Sequence, residues 1–219
     1  MKKGESYTKG ITFGNYHSYN DLKLLLTSKE IGSPPVKENK IDIPGGDGSI
    51  DLTDFFGEPK YEDVQHKFEF TTIEPQSDFL SQYSQVKNAI HGKKVRIILD
   101  DDPTFFYLGR CHVSSFTSSK GIGTIKVECE CEPYKYKLTQ TVVTQAVNGA
   151  KAITLTNARK RAVPSITTTA AMTIAFGGGT WSVNASTFTI PELELVEGEN
   201  NVTVTGVGNI TFTWTEGSM

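Results

Sequence analysis

Pro44-Gly45-Gly46-Asp47-Gly48 forces this chain to reverse within five residues. Proline fixes one backbone angle and the glycines admit positive φ, so no helix and no continuous strand runs through the segment. Short apolar–polar alternations flank it, Ile41-Asp42-Ile43 before and Ser49-Ile50-Asp51-Leu52 after, in the stretch that runs on to Phe56. The pattern predicts a turn between two strands, and it resets expectations for everything nearby: this is a β-rich chain built from hairpins.

Composition then limits the class. The 219 residues suffice for one large or two small domains, and the net charge of −3 lacks the basic surplus of a nucleic-acid binder. No apolar run approaches the ~20 residues of a membrane span. The opening Met1-Lys-Lys-Gly-Glu-Ser-Tyr-Thr8 has no apolar core of a signal peptide, which implies synthesis and retention in a cytosol before assembly. Three cysteines, an odd number without a disulfide framework, suit a reducing compartment.

Two regions differ. All four histidines and all three cysteines precede Leu138, after which Thr, Val, Ala and Gly dominate. The expected domains are 1–138, an α+β region, and 139–219, an all-β sandwich, giving a mainly β protein with one helix. The spacing predicts a helix from Ser77 to His91, with Ser77 as N-cap, Phe79, Leu80, Tyr83, Val86 and Ile90 on one face, and Gly92 as the left-handed C-cap. A strand over Val95–Leu99 follows, then a turn at Asp100-Asp101-Asp102-Pro103. A second strand places Phe105, Tyr107, Cys111 and Val113 on one side. After the turn Ser118–Gly121 a third strand sets Ile125, Val127, Cys129 and Cys131 against Lys126, Glu128, Glu130 and Glu132. Ser18–Leu26 reads equally as strand or short helix. Beyond Leu138, Thr173–Phe176 and Thr180–Val183 flank a Gly177-Gly178-Gly179 turn. Further short strands carry Val202 and Val204, then Ile210, Phe212 and Trp214, with threonine on the wet face.

Candidate chemistry is sparse. Asp100–Asp102 reads as an acidic turn rather than a cation site, because an ion needs ligands at several angles. Cys129-x-Cys131 puts both thiols on the apolar face, where cysteine acts as a small hydrophobe, and the spacing is not that of a zinc site. His17, His66, His91 and His112 follow no ligand or triad spacing, and no nucleophile elbow, zincin motif or P-loop is present. No catalytic residue, metal or cofactor is expected. Arg159-Lys160-Arg161 reads as solvated surface, with an acidic partner or nucleic acid as the other possibility. The three Asn-x-Ser/Thr triplets in the second region read as chance in a threonine-rich chain. Trp181 and Trp214 could stack on a sugar or a partner, against the plainer reading of sandwich packing.

Four pieces stand in order in the first region: Pro34-Pro35 with Lys40–Thr53; Tyr61 leading to Phe68-Glu-Phe70; Asn88–Lys93, Ile98–Asp102 and Phe106–Arg110; and Ile125–Lys135. Leu155-Thr-Asn157, Val163–Ile166, Glu197–Asn201 and the ending Phe212-Thr-Trp-Thr-Glu-Gly217 follow in the second region. Taken together, these segments resemble the distal tail protein (Dit) family of long-tailed phages that infect Gram-positive bacteria. One departure is visible: Gln65-His66-Lys67 stands where the family pattern carries an arginine. The resemblance implies a structural, non-enzymatic hub at the virion tail tip. Six copies would form a ring, alone or back-to-back with a second ring, with a galectin-like sandwich projecting from it. The implied partners are the tail-tube protein, the tip or tail-associated lysin protein and receptor-binding proteins, with genome DNA passing through the channel without specific binding. Pro44, Gly45, Gly46, Asp47 and Gly48, with the helix from Ser77, are the expected intersubunit contacts. The alternative is a carbohydrate-binding module for wall polysaccharide using Trp181 and Trp214; an enzyme of undetected chemistry is the third reading.

Overall fold

A computed structural model describes residues 9–55 and 57–219; Met1–Thr8 and Phe56 lie outside the described residues. The chain forms two compact units, Met1–Pro133 and Tyr134–Met219. It is mainly β with a single α-helix among the described residues.

In the first unit, β1 (Ile11–Phe13), β2 (Tyr16–His17) and β3 (Leu24–Ile31) come first, then the hairpin strands β4 (Lys40–Asp42) and β5 (Ser49–Asp51), then β6 (Val64–Thr72). A 3-10 turn at Gln76–Asp78 leads into α1 (Phe79–Ile90), followed by β7 (Lys94–Leu99), β8 (Phe105–Ser119) and β9 (Ile122–Lys137). Apart from β4 and β5, these strands form one sheet in the order β2-β1-β7-β8-β9-β6-β3. Strict alternation governs which face is dry: Val64, His66, Phe68, Phe70 and Thr72 of β6 point in, as do Ile125, Val127, Cys129 and Cys131 of β9. Phe13 meets Phe68 and Phe70 edge-on at 5.9 and 6.1 Å, the arrangement that ring quadrupoles favour. Ser18–Leu22 is a turn and Leu24 begins a strand, which resolves the ambiguous segment.

The helix departs from expectation at its start. Ser77 lies in the 3-10 turn, the N-cap is Asp78, and no side chain caps it. Its buried face is Phe79, Gln82, Val86 and Ile90, while Leu80 is 69% exposed. Phe79 and Leu80 are about 100° apart around the helix, so seating one in the core turns the other out. Gly92 adopts φ 76°, and Lys93 Nζ donates to the Asn88 and Ala89 carbonyls, closing the C-terminus as predicted. Lys120 and Gly121, both at positive φ (51° and 79°), make the two-residue turn between β8 and β9.

The second unit is dominated by two 17-residue strands, β10 (Thr141–Asn157) and β15 (Gly198–Trp214). Between them in sequence lie β11 (Ser165–Thr168), β12 (Met172–Phe176), β13 (Gly179–Val183) and β14 (Thr187–Thr189); β16 (Gly217–Ser218) follows and pairs with Tyr136 and Lys135 of β9. The two expected short strands around Val202–Val204 and Ile210–Trp214 are therefore one. Gly206 and Gly208, at φ 155° and 145°, interrupt the apolar pattern without breaking the ladder. β10 pairs with β15 without a slip from Thr141↔Trp214 to Asn157↔Gly198. On the other edge of β15, β11 and β12 share one register: Thr168↔Ile210 and Met172↔Gly206 are four residues apart on both strands. β12 and β13 form the expected hairpin over Gly177-Gly178. The halves of this sheet line one core, in which Ile166, Ile174, Leu193, Leu195, Val202, Val204, Ile210 and Phe212 are fully buried. The opposite face carries a row of threonines, Thr144, Thr211, Thr167 and Thr187, side by side on four strands. Its outer pairs, Thr144–Thr211 and Thr167–Thr187, each share a hydroxyl hydrogen bond of 2.9 Å.

Candidate functional site

The predicted turn sits at the tip of an arm. β4 and β5 pair Lys40↔Asp51, Ile41↔Ile50 and Asp42↔Ser49, and this two-stranded sheet joins no other. Gly45 and Gly48 take φ 78° and 77°, and the Gly46 N–H donates to the Ile43 carbonyl at 3.1 Å, tightening the reversal. Thr53 fastens the base: its N–H donates to Asp51 Oδ1 (2.9 Å) and its Oγ1 accepts from the Asn39 N–H (3.1 Å). Hydrogen bonding to Asp51 from the Thr53 hydroxyl, and then from its N–H, holds the Asp51 carboxyl below its ordinary value. All six strand residues of the arm are exposed, and Ile41, Ile43 and Ile50 are each about half exposed. A lone hairpin is marginal in water.

The remaining candidates resolve into structure. Asp100 Oδ2 accepts from the Gly10 N–H (2.7 Å) and bonds His17 Nε2 (3.1 Å), whereas Asp101 pairs with Lys29. The acidic turn thus spends its carboxylates on separate partners. Among the described residues no three His, Cys, Asp or Glu side chains are placed to hold a metal ion. Cys111, Cys129 and Cys131 are fully buried, with Cys129 and Cys111 sulfurs 3.3 Å apart. Burial pushes Cys131 up to about 12, and the thiol contact with Cys111 together with burial raises Cys129 further, so neither is a nucleophile at neutral pH. Lys160, in the basic run, donates to the Tyr136 hydroxyl (2.7 Å), and Arg161 pairs with Glu194 (2.9 Å). The run belongs to the unit's own structure.

The tryptophans separate. Trp214 is 2% exposed, and its indole N–H donates to Asn157 Oδ1 at 3.1 Å, so it follows the packing alternative and presents no ring to a ligand. Trp181 on β13 is half-buried against the same core.

Three features lay outside sequence reasoning. Gln82 is buried on the helix's dry face; its amide donates to the Leu22 and Lys23 carbonyls, both at 2.9 Å, and its oxygen accepts from the Thr72 hydroxyl. His66, in the Gln65-His66-Lys67 stretch, is 1% exposed. Its Nδ1 accepts from the Gly32 N–H (3.2 Å), its Nε2 has no hydrogen-bond partner, and its ring stands edge-on to Tyr107 at 4.5 Å. Burial lowers its pKa. Finally, a cleft of about 550 Å³ opens on the wet face of the first unit's sheet, lined by Asp63, Gln65, Arg110, His112, Glu128 and Glu130 among others. Arg110 is committed to the Gly92 carbonyl at 2.6 Å and Gln65 to Glu128 at 3.2 Å; no nucleophile stands beside a base there.

No protein-family model matches the chain, and no curated protein sequence does. Solved structures do. The chain superposes on the crystal structure of the SPP1 Dit (gp 19.1) protein with a TM-score of 0.70, over 96% of this chain and 99% of that one, at 13% sequence identity. The fold is Dit-like. That protein is described as a paradigm of the hub adsorption apparatus in phages that infect Gram-positive bacteria. The chain thus shares the fold of that hub protein over 96% of its length. Among the described residues no helix is long and apolar enough to cross a membrane.

Proposed function

We propose that this protein is a distal tail hub of a long-tailed phage infecting Gram-positive bacteria, a structural component without catalysis. The observation that carries the reading is the near-complete mutual coverage of this chain and a phage hub protein. In this reading residues 1–138 build a six-copy ring around the DNA channel, and 139–219 form the outward, galectin-like sandwich. The ring joins the tail-tube protein to the tip protein and carries receptor-binding proteins, all at the tail tip after synthesis in the host cytoplasm. The net charge of −3 suits a channel that must pass DNA without holding phosphate. The arm supports the ring: its wet Ile41 and Ile50 need a cover, and cyclic symmetry supplies one for every copy. Pro44–Gly48 at its tip are the intersubunit contact residues. Trp181, the half-buried tryptophan, is where a sugar or partner contact of the second unit belongs.

The test is the solution mass of the full chain by light scattering, alone and with the tail-tube protein. A mass of six or twelve chains, or a six-fold assembly on tube ends, is expected. A monomer that ignores the tube protein would sink the hub reading.

A further inference from the structure

We propose that β10 is a self-association edge, pairing antiparallel with β10 of a second copy about a two-fold axis through Gly149. The proposal does not rest on the hub reading.

One edge of β10 is filled by β15 along its whole length; no strand among the described residues pairs with the other. The direction of its backbone groups follows from the neighbouring ladder. The Asn209 N–H donates to Thr169 Oγ1 at 2.8 Å, and the Asn209 carbonyl accepts from the Thr169 N–H at 3.0 Å, so Asn209 faces away from β10. Its cross-strand partner Ala146 therefore turns its own groups away from β15. The Ala146 carbonyl bears this out by accepting from Lys151 Nζ at 2.9 Å, outside the ladder. By alternation, every even-numbered residue from Val142 to Thr156 offers an N–H and a C=O to the open edge.

Natural sheets blunt such edges with charge, proline or brevity. β10 has 17 residues, no proline, and Lys151 as its one charged side chain. The edge is bent as well as open, because Gly149 has φ 89°. A strand following all of it must bend at the matching point. Gly149 stands eight residues from either end, at 141 and at 157, so an antiparallel copy of β10 carries its bend to that point. β15 satisfies the same demand from inside, with Gly206 opposite Gly149.

Pairing through Gly149 sets even residues against even ones, as the hydrogen bonds require. It places Ala146 opposite Ala152 of the second copy, Thr144 opposite Thr154 and Val142 opposite Thr156. All these pairs are neutral and small or β-branched, and no like charges meet. Lys151 gives up the Ala146 carbonyl when the second strand arrives.

The test is the mass of the full chain across a concentration series for the wild type, Ala146→Lys/Ala152→Lys and Ala146→Lys/Ala152→Glu. Both alanines are exposed. The wild-type assembly is expected to double reversibly, a monomer to a dimer, or a six-copy ring to a two-ring stack in which each β10 meets one of the other ring. The Lys/Lys variant, which sets like charges opposite each other twice, raises the concentration for doubling about tenfold. The Lys/Glu variant brings it back towards the wild type. Absence of doubling in the wild type, or equal shifts in the two variants, overturns the proposal. Hydrogen exchange on the unmutated chain reads it without any substitution. Amides of even-numbered β10 residues slow on doubling while odd-numbered ones stay as they were; no change, or an equal change in both sets, also overturns it. Doubling without ring formation supports this edge and speaks against the hub, whereas a ring that never doubles does the reverse.

Discussion

At the scale of single residues, the most consequential side chains are the polar ones that were driven inside. Gln82 joins the helix to the Leu22–Lys23 turn, where Lys23 holds φ 55°, and to Thr72 at the end of β6. Truncating it takes the donor from the buried Leu22 carbonyl and the acceptor from the Thr72 hydroxyl, while the Lys23 carbonyl keeps the Ile73 N–H. Gln82→Ala is therefore expected to cost about 2–4 kcal/mol in urea unfolding, far more than an exposed helical Gln→Ala. His66 sets a pH dependence. Its folded pKa lies below the unfolded value of about 6.5, so below that pH the unfolded chain binds the proton more readily. Stability from this residue is intact above about pH 6.5 and falls as pH drops towards the folded value. Replacing it with Asn, which keeps an acceptor for Gly32, should flatten the wild-type slope over that window by up to about 1.4 kcal/mol per pH unit. An unchanged slope would show that His66 is not the group responsible. Neither residue was legible in the sequence: a glutamine in a helix reads as surface, and the burial of a histidine two residues before Phe-Glu-Phe shows only once its strand parity is fixed.

At the scale of elements, legibility tracked periodicity. Ile125, Val127, Cys129 and Cys131 were readable as one buried face because a strand's period of two leaves no other arrangement for four apolar residues alternating with charges. The glycine turns at 120–121 and 177–178 were readable because positive φ singles them out. Two things misled. Gly206 and Gly208 look like punctuation, yet in the folded chain they let a single strand bend and keep its ladder. Ser77 looks like a cap, yet the 3-10 turn moves the helix start one residue past the position its hydroxyl could serve. The arm was legible as a turn, whereas its isolation from every other strand was not, since pairing is a property of the whole sheet. Its isoleucines carry a prediction. Ile41→Asp/Ile50→Asp should leave the unfolding free energy within about 0.5 kcal/mol, because both side chains are already half exposed, while removing ring assembly. A double variant that still forms six-copy rings would show that the arm does not make the contact.

At the scale of the whole molecule, 13% identity to SPP1 Dit coexists with superposition over nearly the full length of both chains. The likeness is one of fold, and in this chain the fold is written in the order of turns, alternations and buried faces, which is why a series of individually weak motifs pointed to it. The long ladder of the second unit has a further consequence, and it concerns time. Asn157 and Gly198 are 41 residues apart in sequence (198 − 157), whereas Thr141 and Trp214 are 73 apart (214 − 141), with all intermediate pairs in one unbroken register. Loop-closure entropy makes the nearer end the cheaper place to begin, and each rung then shortens the loop that the next must close. The ladder is a zipper with one starting end, running from Asn157 towards Thr141. A domain whose contacts are this remote in sequence folds slowly for its size. Trp214, at the far end of the zipper, would be among the last side chains to enter the core, and its fluorescence would time the final rung.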